Sequence, residues 1–120
     1  MVDSLVKSNI ISNAKLISAV KSVDRGRFIN DQNPYLNKPY RISGKENMTD
    51  IFTHSVILQS ICENLVDGSK VLDIGTGHGY LAFILNKLNP NTEILGLDSN
   101  EKAIEKCKLL KEHFSSNSNF

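Results

Sequence analysis

Cysteine is scarce in this chain. Cys62 and Cys107 are the only two in 120 residues, far apart, with no Cys-x-x-Cys and no His/Cys cluster. That excludes a disulfide framework or a cysteine metal motif, and both read as buried free thiols in a reducing compartment. A surplus of one charge is also missing: 14 basic residues face 13 acidic ones, for a formal net charge of +1. With no basic face implied, nucleic-acid binding has no electrostatic support. The longest uninterrupted apolar run, Tyr80 to Leu85, is far too short to span a bilayer. Asp3 and the missing apolar stretch near the start argue against a signal peptide, so a cytoplasmic location is expected. There are no internal repeats. What is there is ordinary: one domain at most, 40% hydrophobic, of a size that buries roughly two-thirds of its unfolded surface.

Against that background one stretch stands out, from Lys70 to Asp98. It opens Lys-Val-Leu-Asp-Ile-Gly-Thr-Gly-His-Gly-Tyr, continues with an amphipathic run to Leu88, breaks at Pro90-Asn91 and closes Glu-Ile-Leu-Gly-Leu-Asp. This order is strand, glycine-rich turn, helix, strand, acid, the nucleotide-binding half of a doubly wound sheet. Alternate glycines let the backbone approach a ligand where a Cβ would collide. An acid at the end of the second strand can accept two hydrogen bonds from a ribose diol. A dinucleotide fingerprint wants a small residue where Tyr80 stands, and Asp73, two residues before Gly75, would repel a pyrophosphate. The same acid suits the cationic amino-acid end of S-adenosylmethionine. The stretch resembles the first motif of Rossmann-like methyltransferases.

The N-terminal half reads as helices and one long connection. Residues 3–11 carry a helix-like stripe, Ser12 is a plausible cap, and Leu16, Ile17, Val20 and Val23 recur at helical spacing. From Ile29 to Lys45 the pattern is irregular and polar, punctuated by Pro34, Tyr35, Pro39 and Tyr40, as if laid over a surface. Ile51 to Val66 gives another amphipathic helix, capped by Thr49 or Asp50. A last helix starts at Ser99 or Asn100, with Ala103, Ile104, Cys107 and Leu110 on one face. Residues 115–120 are polar and expected to fray.

The order Leu5-Val6, Ile10-Ile11, Val20, Val23-Asp24-Arg25, Phe28, Tyr35, Pro39 and Ile42, followed by the glycine block, resembles the protein-L-isoaspartate O-methyltransferase family over nearly the whole chain. Val-Asp-Arg followed by Phe28, at its distance from the glycine loop, is the most specific part. The resemblance implies an α/β, Rossmann-like S-adenosylmethionine-dependent methyltransferase fold, truncated after the second strand, with an N-terminal helical cap. It divides the chain into a cap and substrate-loop region (1–48) and the N-terminal half of a cofactor-binding domain (49–120). It further implies methyl transfer to the carboxylate of isoaspartyl residues in damaged proteins, with such proteins or peptides as partners and neither nucleic acid nor membrane. Thr49 falls on the family's active-site serine. Asn47, Met48, His54, Asp73, Gly75, Thr76, Gly77 and Asp98 fall where the cofactor is held, and no metal is implied. The chain departs from the family's Ile-Gly-x-Gly-Gln-Thr-Ile-Ser-x-Pro pattern, with Asn47 for the threonine and Ile51 for the proline.

Blander roles stand beside these. Thr49 and Asp98 would also serve as helix caps, and Asp73 would also fix the glycine loop by accepting backbone N–H bonds. His54 suits a half-buried helix face, His78 and His113 read as solvent-exposed, and Tyr80 as helix packing. Two other functions compete: a non-catalytic fragment that binds the cofactor or a protein partner, and a nicotinamide-dependent oxidoreductase. A parallel sheet is normally covered on both faces, and two strands leave an unpaired edge. The chain is therefore expected to be marginally stable, to self-associate through that edge, or to derive from a longer gene product.

Overall fold

In a computed structural model, which describes residues 1–43 and 46–114, two short N-terminal helices lead into the rest of the chain. Helix α1 (Val2–Lys7) buries Leu5, and just beyond its Ser8 cap Asn9, at φ 55°, turns the chain so that Ile10 N donates back to Leu5 O. Helix α2 (Ala14–Ser22) is capped by Asn13, not Ser12, because the Asn13 side chain accepts from Leu16 N at 3.1 Å. The Ser12 N–H is instead donated to Gln59 Oε1 at 2.9 Å, tying the start of α2 to a later helix. The 3-10 turn Arg25–Arg27 follows, started by the Asp24 carboxylate, which accepts from Gly26 N at 2.9 Å and from the Tyr35 hydroxyl at 2.7 Å. Those two bonds, the Tyr35 one first, hold the Asp24 carboxyl below its usual pKa.

The connection expected to be irregular as far as Lys45 ends earlier, in an antiparallel hairpin. Strand β1 (Tyr40–Ser43) pairs with β2 (Glu46–Met48), Tyr40 opposite Met48 and Arg41 opposite Asn47. Strands of four and three residues are too short to display alternation. Of the two tyrosines in this segment only Tyr40 packs beneath the surface; Tyr35 is 46% exposed. Helix α3 (Ile51–Ile61) starts at Asp50, whose carboxylate accepts from Thr53 N at 2.8 Å, and it tightens into a 3-10 turn (Cys62–Asn64) before reaching Val66.

Strand β3 (Lys70–Ile74), helix α4 (Tyr80–Leu88), strand β4 (Glu93–Leu97) and helix α5 (Glu101–Phe114) complete the fold. The two strands are parallel and in register from Lys70 opposite Glu93 to Ile74 opposite Leu97. Asn100, not Ser99, caps α5, its side-chain oxygen accepting from Lys102 N and Ala103 N. The core lies on one side of this sheet. Ile94 packs there with Ala82, Phe83, Ile84 and Leu85 of α4, Leu16 and Val20 of α2, and Cys107 and Leu110 of α5. On the other face Leu72, Ile74, Leu95 and Leu97 are 55%, 77%, 58% and 45% exposed. Cys62 and Cys107 are buried free thiols, as their spacing suggested. Among the described residues no helix is long and apolar enough to cross a membrane.

Candidate functional site

The glycine loop leaves β3 at its C-terminal end and is fixed by β4. Gly75 N and Thr76 N both donate to Leu97 O, at 2.8 and 2.9 Å, and Gly77 N donates to Asp98 Oδ2 at 2.8 Å. The other Asp98 oxygen accepts from Asn100 N at 2.9 Å. One carboxylate therefore joins the loop to the approach of α5. The loop-fixing role weighed for Asp73 falls to Asp98, and the capping role weighed for Asp98 falls to Asn100. Asp73 is half-buried at the mouth of the strand.

Two glycines shape the floor. Gly75, at φ 78°, holds a conformation that side chains rarely adopt, and a Cβ there would meet nothing within 4 Å, so its backbone faces open space. Gly77, at φ 58°, lies so close to the hairpin that a Cβ would come within 3.0 Å of Ile42 Cδ1. Beneath the loop Thr76 is buried, its side chain fitting against Gly96 of β4, where an added Cβ would fall 2.9 Å from it.

The hairpin, the start of α3 and the glycine loop enclose a cleft of about 180 Å³. Asn47, Met48, Thr49, His54, Asp73, Gly75, Thr76 and Gly77 all line it, together with Ile42, Ile57, Tyr80 and Leu81. Asp98 borders an adjoining depression of about 670 Å³, shared with Asn47, Gly75, Gly77 and Ser99. Residues from four separate stretches thus converge at one end of the sheet, outside the carboxyl ends of the strands, where open α/β folds bind ligands. Thr49 is exposed in the cleft, and Asp50, not Thr49, caps the helix after it.

Histidines differ most from expectation. His78 is buried, not exposed, with Nδ1 3.1 Å from Phe28 O, a partner fifty positions away that no local pattern reveals. His113 is exposed, set edge-on against Phe114. His54 lies with its ring 5.3 Å from that of Tyr80, and its buried Nδ1 has no hydrogen-bond partner among the described residues. Burial, then the nearby Arg25 cation, push its pKa down to about 4, against the opposing pull of Asp50. The imidazole is neutral at pH 7. Tyr80 is buried against Phe28, as helix packing requires, yet it also forms part of the cleft wall. Among the described residues no group of three His, Cys, Asp or Glu side chains could hold a metal ion.

A parallel strand pair, a glycine loop held by a strand-end acid, and a second acid beside the first glycine together define the cofactor-binding half of a Rossmann-like methyltransferase fold. Comparison with known proteins makes the assignment specific. The sequence model of the protein-L-isoaspartate(D-aspartate) O-methyltransferase family matches residues 1–118, and the chain belongs to that family. It is 29% identical over 117 residues to a protein-L-isoaspartate O-methyltransferase of Caenorhabditis elegans, covering 96% of this chain and 52% of that protein. To protein-L-isoaspartate O-methyltransferase 1 of Arabidopsis thaliana it is 33% identical over 82 residues, covering 68% of this chain and 36% of that protein. The fold is shared with a crystal structure from Plasmodium falciparum, described as a protein-L-isoaspartate O-methyltransferase in complex with S-adenosyl-L-homocysteine. The TM-score is 0.84 at 24% identity, over 95% of this chain and 54% of the other. The chain spans about half the length, or less, of the relatives it matches.

Proposed function

We propose that this chain forms the S-adenosylmethionine-binding part of an enzyme that methylates the carboxylate of isoaspartyl residues in damaged proteins. One observation carries the reading: the glycine loop, Asp73 and Thr49 border one cleft, and Asp98 borders a depression that shares Ile42, Asn47, Ile74, Gly75 and Gly77 with it. The residues present suit the cofactor. Gly75 offers bare backbone to open space, and two acids, with no lysine or arginine among the cleft residues, favour a cation and a diol over a pyrophosphate. Asp73 would face the cationic amino-acid end and Asp98 the ribose hydroxyls, each Asp98 oxygen still having a lone pair beyond the one given to the backbone. Asn47, Met48, His54, Thr76 and Gly77 would flank the bound molecule.

The chemistry that S-adenosylmethionine supplies, when bound, is an electrophilic methyl group on a sulfonium. The acceptor carboxylate, with a reference pKa near ~4, is already ionised at pH 7, so the chain needs no general base. Its work is alignment and dryness. Thr49 would orient the acceptor carboxylate by a hydrogen bond from its hydroxyl, and His54, held neutral by burial, would add no charge of its own to the wall. Ile42, Met48 and Leu81 provide apolar surface that excludes water while opposite charges disappear. In this reading residues 1–48 form the cap and substrate loop, residues 49–120 belong to the cofactor-binding domain, and the protein works in the cytoplasm.

A second reading is a binding module that holds cofactor or partner without transferring a methyl group. The open apolar sheet face favours it. Titrating the chain with S-adenosylhomocysteine in a calorimeter tests the first step. One-to-one binding abolished by Asp98→Ala is expected, and no heat from a folded chain would sink the cofactor assignment. Methyl transfer to an isoaspartyl peptide, but not to its aspartyl isomer, then separates enzyme from binder.

A further inference from the structure

Among the described residues Arg25 is the largest side chain to be almost wholly buried, at 1% exposure, and it is a cation. Removing a guanidinium from water costs several kcal/mol unless it is paired and fully hydrogen-bonded. Neither condition holds here. No carboxylate lies within salt-bridge distance of Arg25 among the described residues, and the Lys70–Glu93 ion pair lies at the far end of the sheet. Arg25 Nη2 donates to one acceptor, Thr49 O, at 2.9 Å, while Nε and Nη1 have no hydrogen-bond partner among the described residues. The remaining stabilisation comes from two tyrosines, the guanidinium carbon lying 5.3 Å from the Tyr80 ring centroid and 5.9 Å from that of Tyr40, from the Tyr80 hydroxyl, and from the Asp50 carboxylate, which attracts it from beyond salt-bridge distance. An apolar side chain of similar volume would be cheaper for folding alone.

What these contacts share is Thr49. Tyr40 is the residue of β1 that pairs with Met48, immediately before Thr49. Asp50, immediately after it, caps α3. Tyr80 forms the opposite wall of the cleft. We propose that Arg25 is a positioning residue: it locks the backbone at Thr49 between hairpin and helix, and so sets where the Thr49 side chain stands in the cleft. A planar fork can hold a carbonyl in its plane while its faces lie against rings, which an ammonium cannot do. The functional importance of Thr49 rests on the methyl-transfer reading, but the mechanical link does not, and it is measurable on the chain without ligand.

The test is nitrogen-15 relaxation at residues 49–52, with histidine titration by NMR, on the 120-residue chain and its Arg25→Met and Arg25→Lys variants. In Arg25→Met the fold and melting temperature are expected to hold. The backbone order parameter at Thr49 is expected to fall from about 0.85 to below about 0.6. The His54 pKa should rise above about 4 as the neighbouring cation is removed, and should stay below its ordinary 6.5 because burial, the larger cause of the depression, remains. Arg25→Lys keeps a charge and one donor but not the fork, so His54 should stay low while Thr49 loosens. Folded variants with wild-type order at Thr49 would overturn the proposal, whatever S-adenosylhomocysteine does. So would the unfolding of both variants, which would make Arg25 a requirement of the fold instead. If only Arg25→Met unfolds, the Arg25→Lys relaxation decides.

Discussion

The two faces of the β3–β4 sheet are built from the same kinds of residue and live in opposite environments. On one, Ile94 is buried beneath α4 and α5; on the other, its neighbours Leu95 and Leu97, with Leu72 and Ile74 beside them, stand open. The strands themselves are apolar on both sides, the pattern of a parallel sheet meant to be covered twice. Half of that covering is present. The core is therefore a property of one layer of helices, and the site is formed along the rim of that layer. Stability and function are accordingly expected to reside on the packed face, with the open face contributing association.

Substitutions can break this comparison. Leu85→Ala or Ile94→Ala on the packed side should cost about 2–5 kcal/mol, read from urea denaturation. Leu72→Ala or Ile74→Ala should change stability by less than about 0.5 kcal/mol; equal costs would mean that the open face is covered in solution. Next in size is acidification. His54 has a folded pKa of about 4 against an ordinary 6.5, so between those values the unfolded chain binds the extra proton. Stability should be full above pH 6.5 and fall by roughly 2–3 kcal/mol as pH drops to 4. His54→Gln should flatten that part of a melting-temperature profile. Gly96→Ala would push a Cβ into Thr76 at 2.9 Å and should cost about 1–3 kcal/mol, together with weaker S-adenosylhomocysteine binding. The smallest effect on stability is expected from Leu72→Lys with Ile74→Lys, which should nevertheless shift concentrated protein toward monomer in sedimentation velocity.

Legibility in the sequence followed the range of the interactions. The span from Lys70 to Asp98 could be read element by element, because its strands, its loop glycines and its helix each carry a local period or backbone requirement. The caps were readable to within one residue: Asn13 in place of Ser12, Asp50 from the pair Thr49/Asp50, Asn100 from the pair Ser99/Asn100. Neighbouring polar side chains offer nearly the same chemistry at a helix start. The hairpin was hidden by its brevity. Arg25 and His78 were hidden by distance, since each is buried through a partner 24 or 50 residues away. A charged residue and a histidine look like surface until the chain has folded back over them.

Asp98 carries a further implication. Its two oxygens serve the glycine loop and the entry to α5 separately, at 2.8 and 2.9 Å. A change of side chain there disturbs both at once, whether or not anything is bound. With the proposed ribose contact added, the residue would serve two separate ends, one architectural and one chemical. Retention of an acid at this position in a descendant chain would therefore not by itself testify that the descendant still binds a ribose. Loss of the acid, conversely, would have to be accompanied by a rebuilt loop.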